Sequence, residues 1–218
     1  TSNDVAITRI VKKMKKGMTL IEALIAISIF TIGIAGFSLL FIKAWQSNSY
    51  TFEMGRSSFA LSRGVNEIVG YLRKARQGDD GSYPVKSAAS NDLVVFSDYD
   101  KDGITERIHF YKNGSQIMMG WRKPTGSLPK TYAAGDQETK IISSSIVNAS
   151  NEPIFYYYNK DYPGDSANNP VSPPINVADV RLVEIFLKIN INPNRAPDSV
   201  QLRSFAELRN LNDYDRMR

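Results

Sequence analysis

The chain contains no cysteine and a single histidine, His109. Without cysteine it cannot form a disulfide, a thiolate metal site or a cysteine nucleophile. One imidazole leaves no second histidine for a typical zinc site and no histidine to pair with a serine elsewhere. We therefore expect a protein that is not an enzyme, that requires no cofactor, and that is held together by its own apolar core.

The net positive charge outside the N-terminus is small. Residues 1–17 carry +4 of the formal net charge of +5, which leaves only +1 for residues 18–218. The basic composition is therefore no argument for nucleic-acid binding. Residues 121–123 and Lys130 are interpreted as solvated loop charges, because no stripe of such residues accompanies them.

Charged residues are absent from a run of twenty residues, 23–42. The run follows a basic cluster at 12–16, then Gly17 and a lone carboxylate, Glu22. Residues 18–42, as a helix, are long enough to cross a hydrocarbon core of roughly 30 Å. The preceding basic residues favour a cytoplasmic N-terminus. No small-residue cleavage site ends the run, as it would in a secretory signal, so the only evident breakpoint is Gly17.

Residues 12–45 resemble the class III signal of type IV pilins and of the pseudopilins of type II secretion. In that family a prepilin peptidase cleaves after the glycine, and the new N-terminus is methylated. The resemblance implies cleavage between Gly17 and Met18, N-methylation of Met18, and a role of Glu22 in assembly. Met18 stands where the family most often has phenylalanine.

Glu22 is the candidate assembly residue because a carboxylate in a bilayer is costly. Insertion scales give roughly 2.5–3.5 kcal/mol for an acidic residue at the helix centre, and less near its end. The nearest downstream charge, Lys43, is about 31 Å away along a helix. Two interpretations stay open: pairing with the freed amine of Met18 on a neighbouring subunit, as the resemblance implies, or a carboxylate that reaches the interface without a partner.

Apolar residues continue beyond residue 43 with a helical period. We predict one helix from Met18 to about Gln77, ended by the turn at 78–81. Its predicted apolar stripe consists of Trp45, Phe52, Phe59, Leu61, Val65, Ile68, Leu72 and Ala75.

The rest of the chain favours strands. Two-residue alternation or short apolar runs predict strands at 93–96, 104–111, 116–122, 140–147, 154–158, 183–191 and 200–209. Asn113-Gly114 is a strong hairpin signal. The predicted fold is α+β and pilin-like: a long N-terminal membrane-spanning helix packed by its second half on an antiparallel β-sheet. The predicted segments are a leader at 1–17, a transmembrane and filament-core helix at 18–42, an amphipathic helix at 43–77 and an antiparallel β domain at 78–218.

An acidic segment suggests a metal site. Positions one, three, five and six of a calcium loop are matched by Asp98, Asp100, Asp102 and Gly103. Glu106 would take position nine, but His109 stands where the bidentate glutamate belongs and no helices flank the segment, so an EF-hand is excluded. A different calcium loop and a polar turn capped by its own aspartates both stay open.

The aromatic run 155–158, with Tyr162, is interpreted as an edge or near-edge strand, with a ligand-binding platform as the alternative. The following loop, 159–176, holds four prolines. A long loop on a compact domain is usually functional or disordered.

Segments 96–106 and 202–210 are similar to minor pilins and to the J-type minor pseudopilin. We therefore expect a minor pilin or pseudopilin that helps to initiate or cap a type IV pilus or pseudopilus; the alternative is a tip adhesin or a DNA-uptake pilin. The implied partners are other pilins or pseudopilins, the prepilin peptidase, the assembly platform and the inner membrane, with no specific nucleic-acid binding. The implied location is a single pass of the inner membrane with a cytoplasmic N-terminus, then a pilus or pseudopilus in the periplasm or at the cell surface.

Overall fold

The computed structural model describes residues 17–194 and 198–211. Within these residues, a long α-helix is followed by eight strands, with a single-turn 3-10 helix at Val177–Asp179 between the sixth and the seventh strand. The helix α1 spans Leu20–Leu72, and the strands are β1 Val85–Ala89, β2 Asp92–Ser97, β3 Glu106–Asn113, β4 Gln116–Arg122, β5 Glu138–Ser143, β6 Phe155–Tyr158, β7 Leu182–Ile189 and β8 Val200–Glu207. This order confirms the α+β class.

The chain divides into two compact units, Thr1–Asn48 and Ser49–Arg218, and the boundary falls inside α1. In the described part of the first unit, the apolar side chains of α1 are exposed. Among the described residues, α1 is the one helix long and apolar enough to span a membrane. Residues 1–16 of the predicted leader lie outside the described part of the chain.

Helix α1 ends at Leu72, about five residues before the predicted end. Ala75 N–H donates to Leu72 O at 3.1 Å, which is a tighter turn than the α-helical pattern. Arg76 N–H then donates to Phe96 O of β2 at 2.9 Å. The backbone thus leaves the helix because it pairs with a strand.

The described residues of the second unit form two antiparallel sheets where one was expected. The first has the order β1-β2-β3-β4-β5 and the second β6-β7-β8. The predicted hairpin is confirmed: Asn113 pairs with Gln116 across the turn, and Gly114 has the positive φ of 58° that such turns require. Strand β1 was not predicted.

The core joins the later turns of α1 to both sheets. One cluster of buried apolar residues includes Leu61 and Ile68 of α1, Phe110 of β3 and Val183 of β7. Burial of this kind supplies most of the driving force for folding. This cluster is the apolar core that the sequence analysis expected in a chain without disulfides.

The predicted single apolar stripe of α1 is wrong. Leu61, Val65, Ile68, Leu72 and Ala75 are buried, whereas Trp45, Phe52 and Phe59 are exposed. Phe59 and Leu61 are two residues apart and therefore lie about 200° apart around an α-helix. The two sets occupy different faces.

Candidate functional site

The first turn of α1 is closed by a capping box formed by Thr19 and Glu22. Glu22 Oε2 accepts hydrogen bonds from Thr19 N–H at 2.8 Å and from Thr19 Oγ1 at 2.9 Å. In return, Glu22 N–H donates to Thr19 Oγ1 at 3.3 Å. The first helical bond runs from Ala23 N–H to Thr19 O. Such reciprocal bonds satisfy amide groups that a helix start leaves without partners.

This cap gives Glu22 a partner that the sequence analysis missed. The sequence offers no charged partner close to Glu22, but the pattern Thr-x-x-Glu at 19–22 is a recognisable cap in the sequence alone. Gly17 and Met18 precede the cap and are exposed. A Cβ added at Gly17 would meet open space, so packing does not explain a glycine there.

The turn between β2 and β3 is shaped by its own aspartates. Gly103 N–H donates to Asp98 Oδ2 at 3.2 Å, and Ile104 N–H donates to Asp102 Oδ1 at 2.8 Å. Gly103 adopts a φ of 87°, which side-chain-bearing residues rarely adopt. These are the features of a polar turn, and they also hold several carboxylates at one end of the sheet.

Three of the carboxylates in this turn converge. Asp98, Asp100 and Glu106 each offer one oxygen, and these oxygens lie within 4.8 Å of one another. Asp102 belongs to a different contact: Lys123 Nζ donates to Asp102 Oδ2 at 2.8 Å and to Asp100 Oδ2 at 2.6 Å. The structure therefore brings together Asp98 and Asp100 of the predicted metal ligands, adds Glu106, and turns Asp102 towards a lysine.

The charges in this cluster shift one another's protonation. Burial raises the pKa of Glu106, and the neighbouring charges of Asp100 and Asp102 raise it further. The hydrogen bond from Tyr99 N–H lowers this pKa and opposes them in part. The hydrogen bonds to Asp100 and Asp102 raise the pKa of Lys123, which stays a cation.

A family model described as the prokaryotic N-terminal methylation motif matches residues 12–40. The matched segment contains Gly17, Met18 and Glu22, and it runs into the exposed apolar helix. The motif and the long apolar N-terminal helix fit the type IV pilin-like family. The comparison with curated proteins finds no match.

Type IV pilin-like proteins are structural and not enzymatic. The motif implies processing by a prepilin peptidase, methylation and assembly with other pilins. The apolar N-terminal helix and the motif are consistent with membrane anchoring. The long helix followed by antiparallel sheets is the pilin-like architecture.

His109 is more enclosed than expected. The sequence places it on the exposed face of its strand, opposite Ile108 and Phe110, but its side chain is only 24 % exposed. Nδ1 lies 2.9 Å from Asp136 Oδ2, and Nε2 lies 2.7 Å from Asp92 Oδ2. The loop that carries Asp136 therefore covers part of this face.

The aromatic run forms β6, which is an edge strand as predicted. Phe155, Tyr157 and Tyr158 are buried, so the run contributes mainly to packing. The loop after it is closed by hydrogen bonds between Asn159 and Asn169. A pocket of about 290 Å³ is lined by residues of this loop and by Asp179.

Proposed function

We propose that this chain is a minor pilin or minor pseudopilin, a subunit that helps to initiate or cap a filament and that catalyses nothing itself. The observation that carries the proposal is the methylation motif at 12–40, with Gly17, Met18 and Glu22 in register, followed directly by an apolar helix. A strand-rich unit of the size of Ser49–Arg218 suits a minor subunit.

In this proposal a prepilin peptidase cleaves the precursor between Gly17 and Met18, and Met18 is then methylated on its α-nitrogen. The basic residues before Gly17 keep the N-terminus cytoplasmic, because lysine and arginine favour that side. The helix crosses the inner membrane once, and the strand-rich unit lies outside the cytoplasm. An assembly platform then transfers the subunit from the membrane into a pilus or pseudopilus.

The proposed role of Glu22 is to pair with the α-amine of Met18 on the adjacent subunit. Thr19 supplies hydrogen bonds but no positive charge, so the carboxylate still lacks a counter-ion within the described residues near it. In a low-dielectric environment an uncompensated charge is costly, and a pair is favoured. Pairing would fix the stagger between neighbouring helices.

Cleavage is tested by replacing Gly17. We expect Gly17→Val to abolish processing when the chain is produced together with a prepilin peptidase, with the product identified by intact mass. Gly33→Val is the matched control, because a Cβ at either glycine meets open space. The control should be processed as efficiently as the original chain.

Two results would overturn the proposed processing. One is a Gly17→Val chain that is still shortened to begin at Met18. The other is equal loss of processing in both variants, which would indicate a general effect of added bulk in this segment. In either case the glycine would not define the cleavage position.

A second candidate function is ligand binding at the filament tip. The pocket lined by the 159–172 segment and Asp179 favours it, because the loop is held by its own hydrogen bonds. Glycan or cell binding by the full chain in detergent, lost on deletion of residues 160–168, supports an adhesin.

Loss of secreted hydrolases from a deletion strain indicates type II secretion, whereas loss of twitching, adhesion or transformation indicates a pilus.

A further inference from the structure

The side chain of Glu106 is completely buried, with an exposed fraction of 0 %. Its Oε2 accepts a hydrogen bond from Tyr99 N–H at 2.7 Å, but its Oε1 has no hydrogen-bond partner among the described residues. The Oδ1 atom of Asp98 is also buried without a hydrogen-bond partner there. Buried carboxylate oxygens without partners are costly, and the cost is relieved when a cation contacts them.

We propose that Asp98, Asp100 and Glu106 bind a calcium ion, and that the ammonium group of Lys123 competes with calcium for Asp100 and Glu106. Calcium binds oxygen ligands at 2.3–2.6 Å, so two ligands on opposite sides of the ion lie up to about 5 Å apart. The three carboxylate oxygens lie within 4.8 Å of one another. One ion can therefore contact all three.

The donor set favours calcium over other metals. The three ligands are carboxylates, which suit hard cations and not zinc or copper. Calcium accepts six to eight oxygens in flexible geometry, so water can complete its coordination. Magnesium demands a near-ideal octahedron, which is harder to build from an irregular turn.

Two cationic side chains, Lys123 and Arg76, lie beside these carboxylates. Lys123 Nζ donates to Asp100 and Asp102 and lies 3.8 Å from Glu106 Oε1, which is beyond hydrogen-bonding distance. Arg76 Nη2 lies 3.7 Å from Asp98 Oδ2. Four carboxylates thus face two cationic side chains, which leaves the cluster with a negative charge that a divalent ion can reduce.

Calcium at this site would also tighten the link between the turn and the segment that follows α1. Arg76 Nε donates to Thr105 Oγ1 at 2.8 Å, and Arg76 Nη2 donates to the backbone oxygen of Gly103 at 2.8 Å. Arg76 therefore already holds the turn through Gly103 and Thr105. Calcium bound to the carboxylates of the turn should raise the thermal midpoint of the second unit, because a ligand that binds only the folded state stabilises it.

The test is calorimetric titration of calcium into the full chain in detergent. We expect saturable one-site binding with a dissociation constant of about 10⁻⁴–10⁻³ M, the range of extracellular calcium modules. Asp98→Asn and Glu106→Gln should each weaken binding about tenfold or more, because ligand charge sets affinity. Asp102→Asn is the matched control: it removes the same charge from the same turn, and it should change affinity by less than about threefold.

Lys123→Gln should change the calcium affinity in the opposite direction. It removes the competing cation, so calcium should bind more tightly. Terbium luminescence sensitised by the stacked pair of Tyr99 and Trp121, and quenched by added calcium, gives a second measurement. If Glu106→Gln does not fold, Asp98→Asn alone decides the outcome.

The proposal is overturned if no saturable binding occurs up to about 10 mM calcium. It is also overturned if magnesium binds as tightly as calcium, or if Asp98→Asn and Asp102→Asn weaken binding equally, which would indicate a diffuse negative charge. The inference does not depend on filament assembly, so these results leave the proposed processing at Gly17 unaffected.

Discussion

His109 and Asp136 form a polar contact that depends on one small residue. The two ring nitrogens of His109 lie at hydrogen-bonding distance from Asp92 and Asp136, and Arg107 Nη2 lies 3.5 Å from Asp136 Oδ1. Gly120 is directly opposite His109 on β4, and the absence of a side chain there makes room for Asp136.

Replacing Gly120 should break this contact. A Cβ at Gly120 would lie 2.2 Å from the carboxyl group of Asp136, so Gly120→Ala must displace that carboxylate from His109 and Arg107. We expect a loss of about 1–3 kcal/mol in the free energy of unfolding, because buried polar groups lose partners. Chemical denaturation of the full chain in detergent, followed by tryptophan fluorescence, measures it.

Gly70→Ala is the control for that experiment. Gly70 lies in α1 with open space around its Cα, and alanine is favoured over glycine in a helix by up to about 1 kcal/mol. The control should therefore be as stable as the original chain or slightly more stable. A Gly120→Ala chain of unchanged stability would show that Asp136 is not held where the structure has it.

At the scale of elements, the two apolar faces of α1 in the second unit should differ sharply in their contribution to stability. Leu61 is 1 % exposed and lies in the core, whereas Phe59 is 71 % exposed. We expect Leu61→Ala to cost about 2–5 kcal/mol of unfolding free energy and Phe59→Ala less than about 0.5 kcal/mol. The same denaturation experiment compares them, and equal losses would contradict the assigned faces.

The strands show what periodicity can and cannot predict. The β3–β4 hairpin was predicted because alternation and Asn113-Gly114 are local signals. Strand β1 carries Lys86 and Ser87 and only one fully buried apolar residue, Val85, so nothing in its sequence marked it as a strand. The division into two sheets was not predictable either, because alternation identifies a strand but not the strand beside it.

The candidate sites likewise include one that local sequence signals predict and one that depends on strand pairing. The N-terminal motif was found because Gly17, Met18 and Glu22 are neighbours in the sequence, and the cap from Thr19 was equally visible there. The acidic turn was noticed, but its geometry depends on Lys123, which is 23 residues from Asp100. That contact requires the pairing of β3 with β4, which a motif in the turn alone does not contain.

At the scale of the whole molecule, the chain has two parts, and helix α1 runs from the first into the second. The first part supplies an apolar helix with a capped start and a carboxylate in its first turn. The second part, Ser49–Arg218, is a unit with its own core. A filament subunit needs both a segment that packs with its neighbours and a domain that folds without disulfides, and this chain has both features.

The proposed role of Glu22 requires that its charge, and not its cap, drives assembly into a filament. The most direct test is the incorporation of two variants, Glu22→Gln and Thr19→Ala, measured by quantifying the processed chain in purified filaments. Glu22→Gln keeps an oxygen that can accept from Thr19 but loses the charge, whereas Thr19→Ala loses the side-chain cap but keeps the charge.

We expect both variants to be cleaved, Thr19→Ala to enter filaments nearly as well as the original chain, and Glu22→Gln to be largely excluded. Incorporation of Glu22→Gln at the level of the original chain would contradict the account.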